Sequence, residues 1–135
     1  MEYQEILYQV ENRVATITLN RPEILNAFTE RMLTEWTDAL QQAQADDGVW
    51  VVVVTGAGRG FCSGGNVKGF AAAADNTPPP LHAQRNHMRH GVHRVPRAVA
   101  QLEKPYIAAV NGPAAGAGMD MASMADIRLA SDKAR

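Results

Sequence analysis

The sequence predicts an α/β fold, and three stretches carry that reading. Residues 49–54 are six apolar positions, five of them valine, the pattern of a strand buried on both faces. A run containing Gly56, Gly58, Gly60, Gly64 and Gly65 follows at once. Glycine at that density marks backbone that turns sharply or comes close to something. The same order of strand, glycine turn and helix recurs at Tyr106–Val110, Asn111-Gly112-Pro113 and residues 116–125. Strands alternating with helices give an α/β layout. Periodicity alone leaves the topology open between a doubly wound sheet and other α/β arrangements.

The remaining elements follow in chain order. Residues 3–10 and 13–20 read as a hairpin, with Ile6, Tyr8 and Val10 on one face and Ala15, Ile17 and Leu19 on another. Glu11-Asn12-Arg13 forms the turn, where asparagine tolerates a left-handed backbone. Arg21-Pro22 ends the second strand. Thr29 caps a helix that runs to Ala45, and Leu33, Trp36, Leu40 and Ala43 repeat at helical spacing on its core face. Asp46-Asp47-Gly48 stops it. A helical turn is expected from Asn66, and a proline-broken mobile loop through residues 71–80. Residues 81–103 read as helix with a break near Pro96. Ile127–Ala130 is a third short strand.

Composition narrows the class. With 46% hydrophobic and 20% charged residues, the 135-residue chain has the make-up of a soluble domain of ordinary size. A net charge of −1 gives no footprint for nucleic acid or for an anionic membrane surface. No apolar run reaches the roughly 18 residues of a membrane helix. One cysteine, Cys62, and no basic signal-like start point to a reducing, cytoplasmic setting. Cys62 has no sequence-adjacent His or Asp to activate it and reads as structural. His82, His87, His90 and His93 lie among Arg85, Arg89, Arg94 and Arg97. The arginines would repel a cation, so this stretch is expected to be a solvated or ligand-facing polar helix with no metal.

The glycine run is compared with four motifs. The dinucleotide fingerprint fails where Phe61 takes its third glycine position, and the P-loop fails because Gly69 follows Lys68. The short-chain dehydrogenase pattern fails at Cys62, and no Tyr-x-x-x-Lys pair rescues it, since Val110 follows Tyr106 at that spacing. The fourth motif fits. Thr55-Gly-Ala-Gly-Arg-Gly-Phe-Cys-Ser-Gly-Gly-Asn-Val-Lys68 resembles the T-G-x-G-x-x-F-(S/C)-(A/S)-G-x-D-(L/I)-K segment of the crotonase family, the enoyl-CoA hydratases and isomerases. Lys104-Pro-Tyr-Ile-Ala-Ala-Val-Asn-Gly112 and its continuation to Asp120 resemble a second family segment. Asn20-Arg21-Pro22 and Leu25-Asn26-Ala27 resemble a third.

The resemblance implies a crotonase-like ββα spiral, with residues 1–135 forming its N-terminal core and the C-terminal helical part missing. It implies an enzyme of acyl-CoA thioesters, most simply a 2-enoyl-CoA hydratase or isomerase. Coenzyme A then belongs to the substrate, and no separate cofactor is needed. Carried over by position, the N–H groups of Gly65 and Ala117 form an oxyanion hole, and Asp120 takes the place of a catalytic Glu. Ala27, Gly65, Asn66, Val67, Lys68 and Ala117 contact the substrate, and Asp126 is structural. The resemblance further implies a homotrimer or homohexamer, and a second catalytic carboxylate beyond residue 135. Three departures stand out: Asn66 replaces an Asp, Ala117 a Gly and Asp120 a Glu. Asn66, Ala117 and the missing second carboxylate motivate an alternative reading, a non-catalytic acyl-CoA-binding homologue.

Overall fold

The computed structural model describes residues 2–65 and 80–135. The expected helical turn at residues 66–70 and the loop expected through residue 79 lie outside them. Five strands form one sheet in the order β1 (Ile6–Glu11), β2 (Val14–Leu19), β3 (Val51–Gly56), β4 (Tyr106–Val110) and β5 (Ile127–Ala130). β1 and β2 are antiparallel; every later pair is parallel. Between them lie a 3₁₀ turn (Pro22–Ile24), α1 (Glu30–Ala45), α2 (Leu81–His87), a π-helical turn (Met88–Val92), α3 (Arg94–Ala100) and α4 (Ala117–Ser123).

The hairpin forms as its residues dictate. Glu11 pairs with Val14, leaving Asn12 and Arg13 as a two-residue turn with φ of 50° and 69°. Two positive φ values give the turn whose twist matches paired strands. Ile6, Tyr8 and Val10 stand opposite Leu19, Ile17 and Ala15, so the two apolar sets share one face of the sheet. The parallel register continues that face: Ala15 pairs with Val52 and Ile17 with Val54, then Val52 with Tyr106 and Val54 with Ala108. Apart from partly buried Tyr8 and exposed Val10 on the edge strand, these rows are buried against Leu33, Trp36 and Leu40 of α1 and Val95 of α3.

The opposite face departs from the expectation for residues 49–54. Val51, Val53 and Thr55 are only half-buried, and Trp50 is 58% exposed. Trp50 precedes β3 and lies under the Arg13 guanidinium, 4.0 Å from ring centre to Cζ. A valine run reads as buried on both faces because valine suits any strand; here α1 and α3 cover one face and the other is left partly open. The order of strands separates the two topologies that periodicity left open. A doubly wound sheet reverses direction at a switch point, whereas here each new parallel strand is added on the same side. With crossovers of one hand, successive connections then fall on one face.

Helix α1 begins where predicted: the Met32 N–H donates to the Thr29 hydroxyl at 3.0 Å. Its Glu35, 4% exposed, accepts from the N–H groups of Gln4, Glu5 and Ile6 at 2.8–3.2 Å and ties the chain start to the helix. The predicted break in the second helical stretch falls at His93, three residues ahead of Pro96. A proline ring clashes with the carbonyl four residues back, here Val92, so the regular helix restarts at Arg94 and places Pro96 in its first turn. Asp126 is structural as expected: its carboxylate accepts the Tyr106 N–H at 2.8 Å, and its own N–H returns to Tyr106 O at 2.9 Å. Among the described residues no helix is long and apolar enough to cross a membrane.

Candidate functional site

The loops after β3 and β4 meet beyond the C-terminal ends of these strands, where parallel sheets present ligand sites. Two asparagines fix the first loop. Asn26 is fully buried with φ of 54°; its Nδ2 faces the carbonyls of Ala57, Gly60 and Phe61 at 3.0–3.2 Å, and its Oδ1 accepts the Arg21 N–H at 2.8 Å. Asn111 Oδ1 accepts the Gly56 N–H at 3.1 Å while its Nδ2 donates to Gly58 O at 3.1 Å. A primary amide carries donors and acceptor together, so each side chain supplies the pairing that a strand ladder supplies elsewhere. Sequence reasoning missed both roles.

The second loop runs beside the first. Phe61 and Cys62 donate to Pro113 O at 3.0 and 3.3 Å, and Ala115 donates to Cys62 O at 3.0 Å, giving a parallel bridge between Cys62 and Ala114. Gly65 lies three residues past Cys62, and Ala117 three past Ala114. The bridge sets the two loops side by side just ahead of the two expected donors. At Gly64, where φ is +89°, a Cβ would sit 3.0 Å from Ala115 O and 3.2 Å from Ala117 N. Only glycine lets the backbones come this close. On the other flank the Phe28 N–H donates to Gly64 O at 2.7 Å. This bond fixes Ala27, itself buried, next to the same segment.

Among the described residues the N–H groups of Gly65 and Ala117 have no hydrogen-bond partner. Gly65 is exposed and Ala117 half-buried. Ala117 opens α4, where the first N–H groups lack an acceptor within the helix. Two unspent donors on facing loops suit an oxygen on which negative charge develops. Asn66, Val67 and Lys68, the other expected substrate contacts, lie outside the described residues.

Asp120 is exposed, one turn along α4 from Ala117, and both line a groove of about 530 Å³ between α4 and the helical stretch before β4. Met88, Met121 and Met124 give that groove an apolar lining, and His93 and Arg97 line it too. Both residues are exposed, in keeping with a polar helix face. They are four apart, which stacks them on one helix face. His87 instead pairs with Glu30 at 3.2 Å. Among the described residues no cluster of three or more His, Cys, Asp or Glu side chains is placed to hold a metal ion.

Cys62 is buried beneath the two loops. Its thiol donates to Asn26 O at 3.0 Å and accepts the Gly64 N–H at 3.4 Å. Burial pushes its pKa up to about 12, outweighing the Gly64 contact, which acts the other way. It is therefore a thiol at neutral pH and no nucleophile. A pKa above the ordinary 9 contributes stability that is complete below pH 9 and lost as pH rises toward 12. Tyr106, raised by its own burial, acts in the same direction. Cys62→Ala is expected to flatten the alkaline fall in stability. Urea melts at a series of pH values check this; an unchanged slope would contradict it.

The comparisons with known proteins place the chain in a family. The enoyl-CoA hydratase/isomerase family model matches residues 9–135. The 1,2-epoxyphenylacetyl-CoA isomerase of Escherichia coli is 39% identical over 130 residues, 96% of this chain and 48% of the relative. The trans-2-decenoyl-[acyl-carrier-protein] isomerase of Streptococcus mutans is 35% identical over 135 residues, covering all of this chain and 50% of the relative. A solved enoyl-CoA hydratase/isomerase from Xanthobacter autotrophicus superposes with a TM-score of 0.87 at 38% identity, over 98% of this chain and 48% of that one. The chain spans about half the length of the curated relatives it matches. The fold is crotonase-like, and the chain belongs to the enoyl-CoA hydratase/isomerase family.

Proposed function

We propose that the whole protein acts on an acyl-CoA thioester, hydrating or isomerising a 2-enoyl group, and that the Gly65 and Ala117 N–H groups hold the thioester oxygen as it takes on enolate charge. The observation that supports this reading is the Cys62–Ala114 bridge, which sets the loops that carry the two unspent donors side by side. In hydration, Asp120 would accept a proton from the water that attacks C3, and that proton would pass to C2 as the enolate collapses. In isomerisation, the same carboxylate would move a proton along the acyl chain. Both outcomes rest on carboxylate chemistry at the oxyanion hole, so coenzyme A enters as part of the substrate and no further cofactor is required. The relatives' names include hydratases and isomerases, and the family fits either.

The test is turnover by the whole protein over a panel of enoyl-CoA thioesters of increasing chain length. Hydration or double-bond migration of at least one is expected; no reaction across the panel would overturn the proposal. The Ala117 methyl at the second donor favours a second reading, a non-catalytic binder of acyl-CoA. Calorimetric binding without turnover would support that reading. We further propose a cytoplasmic homotrimer or homohexamer, supported by the reduced, buried Cys62 and by the family. Light scattering that finds a monomer across the micromolar range would contradict the assembly.

A further inference from the structure

We infer that the acyl group accepted by the α3–α4 groove carries a carboxylate, held by Arg97 with His93 as a second donor. The inference rests on the reading of this groove as an acyl-thioester site.

Arg97 and His93 lie one turn apart on one wall of the groove, and Ala117 and Asp120 lie on the other. Among the described residues, neither Arg97 nor His93 has a side-chain hydrogen bond or ion pair, whereas the neighbouring Arg94 is engaged with Glu30 at 3.7 Å and with the Thr34 hydroxyl at 2.6 Å. No ion pair joins Asp120 to Arg97 or His93 either. Opposite charges thus face one groove without neutralising each other across it, and about 530 Å³ lies between the walls.

That space suits an acyl chain, and the methionines on both walls suit its methylene groups. A guanidinium has five donors in a planar fork that matches a carboxylate with two parallel hydrogen bonds. A plain alkyl end would fill the same space and leave the exposed guanidinium to water. Asp120 stands beside Ala117, at the thioester end of the proposed substrate, and the cationic wall faces it. The electrostatic division of the groove therefore favours a substrate whose thioester lies against α4 and whose distal oxygen reaches α3.

Hexanoyl-CoA and adipoyl-CoA have the same chain length and differ in that one ends in methyl and the other in carboxylate. Both are saturated, so calorimetry on the whole protein reads binding without turnover. The carboxylate thioester is expected to bind roughly 10- to 100-fold more tightly, the range of a charged hydrogen-bonded contact. Arg97→Leu should bring the ratio to near one. Arg97→Lys should retain part of the preference, because it keeps the charge and loses the fork. Equal binding of the two thioesters by the unmodified protein, or an unchanged ratio in Arg97→Leu, overturns the inference and leaves the acyl-thioester reading standing. Binding of neither overturns both.

Discussion

Gly118→Ala is expected to cripple the protein, although it adds one methyl group. The new Cβ would lie 2.2 Å from Cys62 O and 2.8 Å from Cys62 C. These are buried backbone atoms that cannot step aside. Cys62 O is already held by the Ala115 N–H, and Cys62 N–H by Pro113 O. Relief comes only by parting the loops, which breaks the bridge and separates Gly65 from Ala117. Overpacking of this kind costs about 1–3 kcal/mol in stability. Losing one oxyanion donor lowers the rate by about 100- to 1000-fold. Gly60→Ala, in the same loop, is the contrast: its Cβ would meet Leu25 Cδ2 at 3.5 Å and Pro113 O at 3.7 Å, ordinary contacts. Melting temperature and kcat/KM on both variants check the account. Equal effects would show that the loop junction is not the sensitive point.

Asp120→Asn should cost about 100- to 10,000-fold in kcat with little change in thioester affinity. The substitution keeps the shape of the side chain and removes its basic oxygen. A positioned acid or base contributes rate enhancement in that range, while the oxyanion donors are backbone groups that the change leaves in place. A fall in kcat without a rise in KM is the signature of an interaction made in the transition state. If Asp120 served only as an acidic charge near the start of α4, the loss would be about 0.3–1 kcal/mol of stability with turnover intact. Full activity with a lowered melting temperature would therefore remove Asp120 from the mechanism. Aspartate is one methylene shorter than the Glu of family hydratases, and its exposed position on the groove leaves a substrate free to approach it.

Local chemistry was legible wherever one short stretch decided the outcome. Asn12 takes its left-handed turn, Thr29 caps α1, and the Leu33, Trp36 and Leu40 stripe faces the core. What one stretch cannot decide was not legible. Trp50 reads as part of a buried run, but its exposure depends on which face of the sheet the helices cover. The break at His93 is displaced from Pro96 because the ring acts on the carbonyl four residues earlier. Asn26 and Asn111 act across 31 to 55 positions of sequence, and nothing near either residue announces a loop to be held. The donors at Gly65 and Ala117 came from motif resemblance alone. The Cys62–Ala114 bridge that sets their loops side by side is a tertiary fact. His93 and Arg97 were visible as a polar face, and only the groove showed what that face looks onto.

The central claim is that the Gly65 and Ala117 N–H groups share one oxygen. Isotope-edited vibrational spectroscopy of a bound thioester, labelled with carbon-13 at its carbonyl, tests it most directly. Two backbone donors on one oxygen draw electron density toward it and weaken the C=O bond, so the stretch is expected to move to lower frequency on binding. Gly64→Ala, which pushes on Ala117 N at 3.2 Å, should reduce that displacement in the thioester that still binds. A bound carbonyl vibrating at its solution frequency would contradict the oxyanion hole.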